Sequence, residues 1–162
     1  MEGPAAAEVY DTNRFSQLYH ASRRPSPEHL GLAADFLFSL FDRHSILFAF
    51  LGGWAVYLRG GSRRTEDVDV SVDTDMDGLT AILMPEERCG SVLPCPIVSL
   101  YSFPIFPSQS STALTAVPCR ICVPKTHGNT CIQVFVHTGG RWDDEFSSIP
   151  ELPVSVDIII CG

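Results

Sequence analysis

Three features that would assign a chain to a broad class of protein are scarce or missing in this sequence. Positive charge is in deficit: 11 Lys and Arg stand against 19 Asp and Glu, which gives a formal net charge of −8 and an isoelectric point of about 4.9. This balance excludes a broad electrostatic surface for nucleic acid. The longest apolar stretch, Ile46 to Leu58, contains Gly52-Gly53 and is shorter than the roughly 20 residues of a membrane helix. The start, Met1 to Pro4, has neither the basic nor the apolar part of a secretory signal. Cytosol or nucleus is therefore the default, and we predict a cytoplasmic protein without a membrane span.

The six cysteines also lack the pattern of a disulfide framework or of a zinc site. They lie at irregular spacings, and the zinc-knuckle spacing of Cys119 and Cys122 is not completed by a second such pair or by paired histidines. We therefore expect reduced thiols that behave as small buried side chains. With 162 residues, 45% of them apolar, the chain is long enough to bury a core of its own.

Periodicity predicts an α/β (α+β) domain over residues 26–162, preceded by a flexible arm over residues 1–25 that is at most loosely docked. Ser26-Pro27-Glu28 is typical of a helix start, and apolar residues recur at helical spacing as far as Asp42. The further predicted elements are a strand from Ile46 to Leu51, a helix from Trp54 to Arg59, a strand around Val68 to Val72, a helix from Asp77 to Met84, and strands from Cys131 to His137 and from Val154 to Ile160.

One segment, at about residues 88–118, interrupts this pattern. It is rich in Pro, Ser and Cys and has no amphipathic period, and a loop of this length is uncommon inside a compact domain. We interpret it as an irregular insertion, with two origins left open: a retained intron translated in frame, or a surface insertion.

Asp67-Val68-Asp69 is the most informative feature of the chain. Valines alternate with carboxylates here, so a strand would bury one face and present both carboxylates on the other. Two such carboxylates can bind divalent cations about 3.5–4 Å apart, with Mg²⁺ or Mn²⁺ preferred by hard oxygen ligands. Asp157 is a lone charge in an apolar strand; it is either a carboxylate at the edge of the sheet or a third metal ligand, and the second reading is favoured because buried charges are usually paired or metal-bound.

The residues before this strand could contact an anion. Gly52-Gly53 lies where a strand passes into a helix, and it is either a tight turn or a place where bare backbone N–H groups bind phosphate. Ser62, Arg63 and Thr65 are candidate phosphate donors, against the alternative of a solvated basic loop.

Together these motifs resemble the nucleotidyltransferase superfamily, whose signature is hG[GS], a spacer and Dh[DE]h. Here thirteen residues, Trp54 to Glu66, form the spacer. Gly52-Gly53-Trp54-Ala55 is similar to the turn of aminoglycoside adenylyltransferases, and Arg63-Arg64-Thr65-Glu66-Asp67-Val68-Asp69 is similar to the motif of abortive-infection toxins. The resemblance covers residues 46–73 well and 131–162 loosely.

The resemblance implies a palm built on a mixed β-sheet and an enzyme that moves a nucleoside monophosphate from a nucleoside triphosphate, ATP by preference, to the hydroxyl of an unknown acceptor, with release of pyrophosphate. Asp67, Asp69 and Asp157 would be the catalytic and metal-binding residues, and Gly52, Gly53, Ser62, Arg63 and Thr65 would bind the nucleotide. Family members usually carry further helices after the third carboxylate, and we expect this chain to lack that module.

Two other hypotheses stay open at this point. One is a non-catalytic nucleotide-binding or interaction protein that retains the palm. The other is a partial gene product whose sheet lacks a cover. The first predicts nucleotide binding without pyrophosphate release, and the second predicts aggregation or poorly cooperative unfolding.

Overall fold

A computed structural model describes residues 8–84, 121–143 and 148–162. In this part of the chain six strands form one sheet with the order β1-β4-β5-β6-β3-β2, accompanied by four α-helices and a 3₁₀ helix. The predicted α/β (α+β) class is confirmed. The elements are β1 (Glu8–Tyr10), α1 (Thr12–Ala21), α2 (Pro27–Arg43), β2 (Phe48–Leu51), α3 (Gly52–Leu58), β3 (Asp67–Val72), α4 (Met76–Leu83), β4 (Ile121–Pro124), β5 (Cys131–Thr138), the 3₁₀ helix Gly140–Trp142 and β6 (Leu152–Ile160).

The sheet is mixed, and β3 and β6, two of its inner strands, form a parallel pair. In contrast, β2 is antiparallel to β3, and β5 is antiparallel to β6. The outer strands β1 and β4 pair in parallel, and β4 is antiparallel to β5. The strand that carries Asp67 and Asp69 is therefore next to the strand that carries Asp157.

The hydrophobic core lies on one face of this sheet. Helices α2, α3 and α4 cover that face, and α2 begins as the sequence predicts, with Ser26 capping the helix and Pro27 in its first turn. The strand residues in the core are fully or almost fully buried: Val68, Val70, Val72, Ile132, Val134, Val136, Val154, Val156 and Ile158. The apolar face of the three central strands thus has its cover, contrary to the hypothesis of an uncovered sheet.

Residues 8–25 are part of the fold, so the prediction of a loosely docked arm is wrong for them. β1 extends the sheet by pairing with β4, and α1 packs against the opposite face from α2. A second, smaller core forms there from Tyr10, Leu18, Cys122 and Phe135. Sequence periodicity missed β1 because three residues are too few to show an alternation, and their partner strand follows more than a hundred residues later.

The predicted insertion at 88–118 lies outside the described residues. Among the helices of the described residues, none combines the length and the apolar character that crossing a membrane requires.

Leu18→Ala tests whether α1 is an integral part of the fold. The Leu18 side chain is only 2% exposed, and removing a buried leucine side chain typically lowers the free energy of unfolding by about 2–5 kcal/mol. We expect such a loss in urea denaturation, and almost no change for the exposed control Ser16→Ala in the same helix. Equal stability of the two variants would show that α1 is not docked.

Candidate metal centre

The two carboxylates of β3 are held in place by the burial of the valines that alternate with them. Val68 and Val70 are fully buried, whereas Asp67 and Asp69 are partly exposed on the other face. Successive side chains of a strand point to opposite faces, so burying the valines forces both carboxylates to the same side. The predicted opposition of faces is confirmed.

Asp157 joins this pair through the parallel pairing of β3 with β6. It stands directly opposite Asp69 in the register, and Asp67 stands opposite Ser155. One carboxylate oxygen from each of Asp67, Asp69 and Asp157 lies within 4.8 Å of the others. β6 is an inner strand, between β3 and β5, so Asp157 is not at the edge of the sheet. We call these three residues the acidic triad.

Gly52 allows the backbone to approach the acidic triad closely. Its φ is +57°, and a Cβ at this position would lie 1.9 Å from Oδ2 of Asp69. A Cβ on Gly53 would lie 2.6 Å from Oγ1 of Thr65. Both positions therefore require glycine on steric grounds, and at Gly52 the backbone conformation also favours it.

Thr65 holds one member of the triad. Its hydroxyl donates a hydrogen bond of 2.8 Å to Oδ1 of Asp67. The observed contact of Thr65 thus orients a carboxylate, and its role in binding nucleotide stays a prediction. Ser62 and Arg63 are exposed in the loop between α3 and β3, and within the described residues neither forms a hydrogen bond or ion pair with the triad.

Negative charge accumulates around the triad without a basic partner. Burial, and secondarily the neighbouring carboxylate of Asp67, raises the pKa of Asp69. Burial, then Asp69 and Asp67, raises the pKa of Asp157. Across residues 8–84, 121–143 and 148–162, no Lys or Arg forms an ion pair with these three carboxylates. A cation would relieve this repulsion.

The donor set fits a hard divalent cation. Three carboxylates offer only oxygen ligands, which suit Mg²⁺, Mn²⁺ or Ca²⁺ and do not favour zinc. Two oxygens bound to one Mg²⁺ lie at most about 4.2 Å apart, which is twice the distance from the ion to a ligand. The carboxylate oxygens of the triad lie up to 4.8 Å apart. They could therefore bind one ion after small side-chain rotations, or two adjacent ions.

Sequence reasoning missed four neighbours of the triad. Gln133 lies opposite Asp157 on β5, and its side-chain amide donates a hydrogen bond to Ser155. Tyr10 donates its hydroxyl proton to the backbone oxygen of Gln133 at 2.6 Å. Cys131 is exposed rather than buried, and burial, then Asp157 and Asp69, raises the pKa of its thiol. The alternation along β6 could have revealed Ser155, which is two residues before Asp157 and therefore on the same face.

A scan against protein-family models and searches of curated proteins and of solved structures found no match.

Gly52→Ala should displace Asp69 from the triad. The new methyl group would overlap Oδ2 of Asp69, and a non-glycine residue at positive φ costs roughly 1–2 kcal/mol. We expect weaker Mn²⁺ binding, measured by electron paramagnetic resonance, together with lower stability in urea. Gly31→Ala is the matched control: it lies in α2 with open space around its Cβ position, and it should gain up to about 1 kcal/mol without affecting Mn²⁺. Unchanged Mn²⁺ affinity in Gly52→Ala would contradict this account.

Asp157→Asn should stabilise the metal-free protein at neutral pH. Because the folded state raises the pKa of Asp157 above its ordinary value of 3.8, the folded state binds the proton more tightly than the unfolded chain does. The free energy of unfolding therefore falls as pH rises from about 3.8 through the raised pKa, and the loss persists at higher pH. The variant lacks this ionisation.

The measurement is urea denaturation in EDTA at pH 4 and pH 7. The advantage of Asp157→Asn over the natural chain should be larger at pH 7. Glu66→Gln, which removes one negative charge from an exposed position beside β3 and outside the triad, is the control. If the two variants behave alike, the burial of Asp157 and its repulsion by Asp69 and Asp67 do not limit stability.

Proposed function

We propose that this protein is a metal-dependent nucleotidyltransferase, which moves a nucleoside monophosphate from a nucleoside triphosphate to an acceptor hydroxyl. The observation that carries the proposal is the convergence of Asp67, Asp69 and Asp157 from two parallel strands, with ligand oxygens within 4.8 Å of one another. Asp157 lies 88 positions after Asp69 in the sequence. In the fold it nevertheless lies beside the motif that resembles the superfamily.

The triad would bind Mg²⁺ or Mn²⁺ together with the phosphates of the nucleotide. Asp67, oriented by Thr65, and Asp69, approached by Gly52, are the cation ligands from β3. Bound cations would supply positive charge to the attacking and leaving oxygens. The glycines leave the backbone beside Asp69 accessible to phosphate, and Ser62 and Arg63 are exposed on the same connection and so available to donate to phosphate oxygens.

In the reaction the acceptor oxygen forms a bond to the α-phosphorus, and the bond from that phosphorus to the bridging oxygen breaks, so that pyrophosphate leaves. Asp157 takes the hydroxyl proton in this scheme. Its place opposite Asp69 puts it beside the cation ligands, where a carboxylate can accept the proton of a bound hydroxyl.

Thermal unfolding with each nucleoside triphosphate, with and without Mg²⁺, tests the binding part of the proposal. A ligand at a hundred times its dissociation constant should stabilise the fold by about 2.7 kcal/mol. We expect a Mg²⁺-dependent rise of the midpoint that Asp69→Asn abolishes and Glu66→Gln retains. No shift with any nucleotide would refute the proposal.

Pyrophosphate release in the presence of candidate hydroxyl acceptors tests the transfer step. Release that depends on Mg²⁺ and on Asp157 would support an enzyme. Metal-dependent binding without release across a broad acceptor panel would instead favour a nucleotide-binding protein that retains the palm.

A further inference from the structure

Ser155 is a buried hydroxyl at the centre of the carboxylate face. It lies opposite Asp67 across the parallel pairing and two residues before Asp157 on β6, so the three side chains share one face. Only 7% of Ser155 is exposed. Buried hydroxyl groups normally have hydrogen-bond partners, so the partners of Ser155 show what this hydroxyl does.

The hydroxyl oxygen of Ser155 accepts a hydrogen bond, whereas its hydroxyl proton is not donated to any of the described residues. Nε2 of Gln133 donates to Oγ of Ser155 at 2.8 Å. A hydroxyl has one proton to donate, and that proton must point away from the donor it accepts from. Within the described residues no group takes this proton at hydrogen-bond distance, and the acceptors that share the face are the carboxylates of Asp67 and Asp157.

Thr138 shows what a purely structural hydroxyl looks like in the same sheet. It is fully buried on β5, and its Oγ1 donates to the backbone oxygen of Leu152 at 2.9 Å. Its proton is therefore used to pair two strands, in contrast to the proton of Ser155.

Gln133 is itself held in place from the far side. Its backbone oxygen accepts the hydroxyl proton of Tyr10 at 2.6 Å, and the residue stands opposite Asp157 in the antiparallel pairing of β5 with β6. The amide that orients Ser155 thus belongs to a residue fixed both by the sheet and by the edge strand β1.

We propose that Ser155, oriented by Gln133, is a positioning residue: when the triad carboxylates turn to bind a cation, the Ser155 hydroxyl donates its proton to one of them and holds it as a cation ligand. This inference rests on the proposed function, since it requires that the triad bind a cation. Hydrogen bonds from outside the ligand set hold metal-binding carboxylates in orientation, and losing one typically lowers metal affinity 10- to 100-fold.

The test is titration of the full chain with Mn²⁺ alone, followed by electron paramagnetic resonance, with the thermal midpoint measured on the same samples. Ser155→Ala should raise the Mn²⁺ dissociation constant about tenfold or more, and Ser155→Thr, which keeps the hydroxyl, should restore most of the affinity. Gln133→Met removes the orienting amide at a half-buried position and should weaken binding in the same direction. Thr138→Val, which also removes a buried hydroxyl, should lower the midpoint and leave Mn²⁺ affinity unchanged.

The outcomes separate the two proposals. If the natural chain binds Mn²⁺ and Asp69→Asn abolishes the binding, while Ser155→Ala and Gln133→Met keep full affinity, the positioning role is refuted and the metal site stands. If Thr138→Val weakens Mn²⁺ binding as much as Ser155→Ala, general loosening of the sheet explains the effect, and the positioning role again fails. If the natural chain shows no binding that depends on Asp69, the triad is not a cation site, and both proposals fall.

Discussion

The parallel pairing of β3 with β6 is the constraint on which the rest of the site depends. Asp69 stands opposite Asp157 because Val68 stands opposite Val156 and Val70 opposite Ile158. A slip of one residue would send every side chain of one strand to the other face, exposing buried apolar residues and placing a carboxylate in the core. The hydrophobic core therefore fixes the geometry of the triad from the opposite face of the sheet.

The same constraint holds like charges together against their repulsion. The strands cannot move apart without opening a core that α2 and α4 cover, so the unfavourable proximity of the three carboxylates is maintained by packing on the opposite face. Clustered carboxylates without a basic partner destabilise a fold unless a cation neutralises them. Carboxylates whose pKa values are raised by burial and by one another are candidates for binding or chemistry.

Sequence reasoning succeeded where a signal was local. The cap at Ser26, the alternation of Asp67 to Val72 and the single charge in an apolar strand each need only a few neighbouring residues to be recognised, and each element appears close to its predicted bounds. It failed where the partner is distant in sequence. Tyr10 contacts Gln133 across more than a hundred residues, and the role of Thr65 depends on how closely Gly53 approaches it, which no periodicity encodes.

The two sides of the triad differ in how accessible they are, and this bears on how an acceptor could reach it. Helix α1 and the aromatic residues Tyr10 and Phe135 cover the carboxylate face over β4 and β5. On the side of β2, Leu51 stands directly opposite Asp69 and is 39% exposed, and Leu47, farther along the same face, is 72% exposed. Among the described residues, the side of β2 is therefore the more open approach to the triad. The N-terminal segment thus covers one side of the carboxylate face, and through the hydroxyl of Tyr10 it contacts the backbone of Gln133.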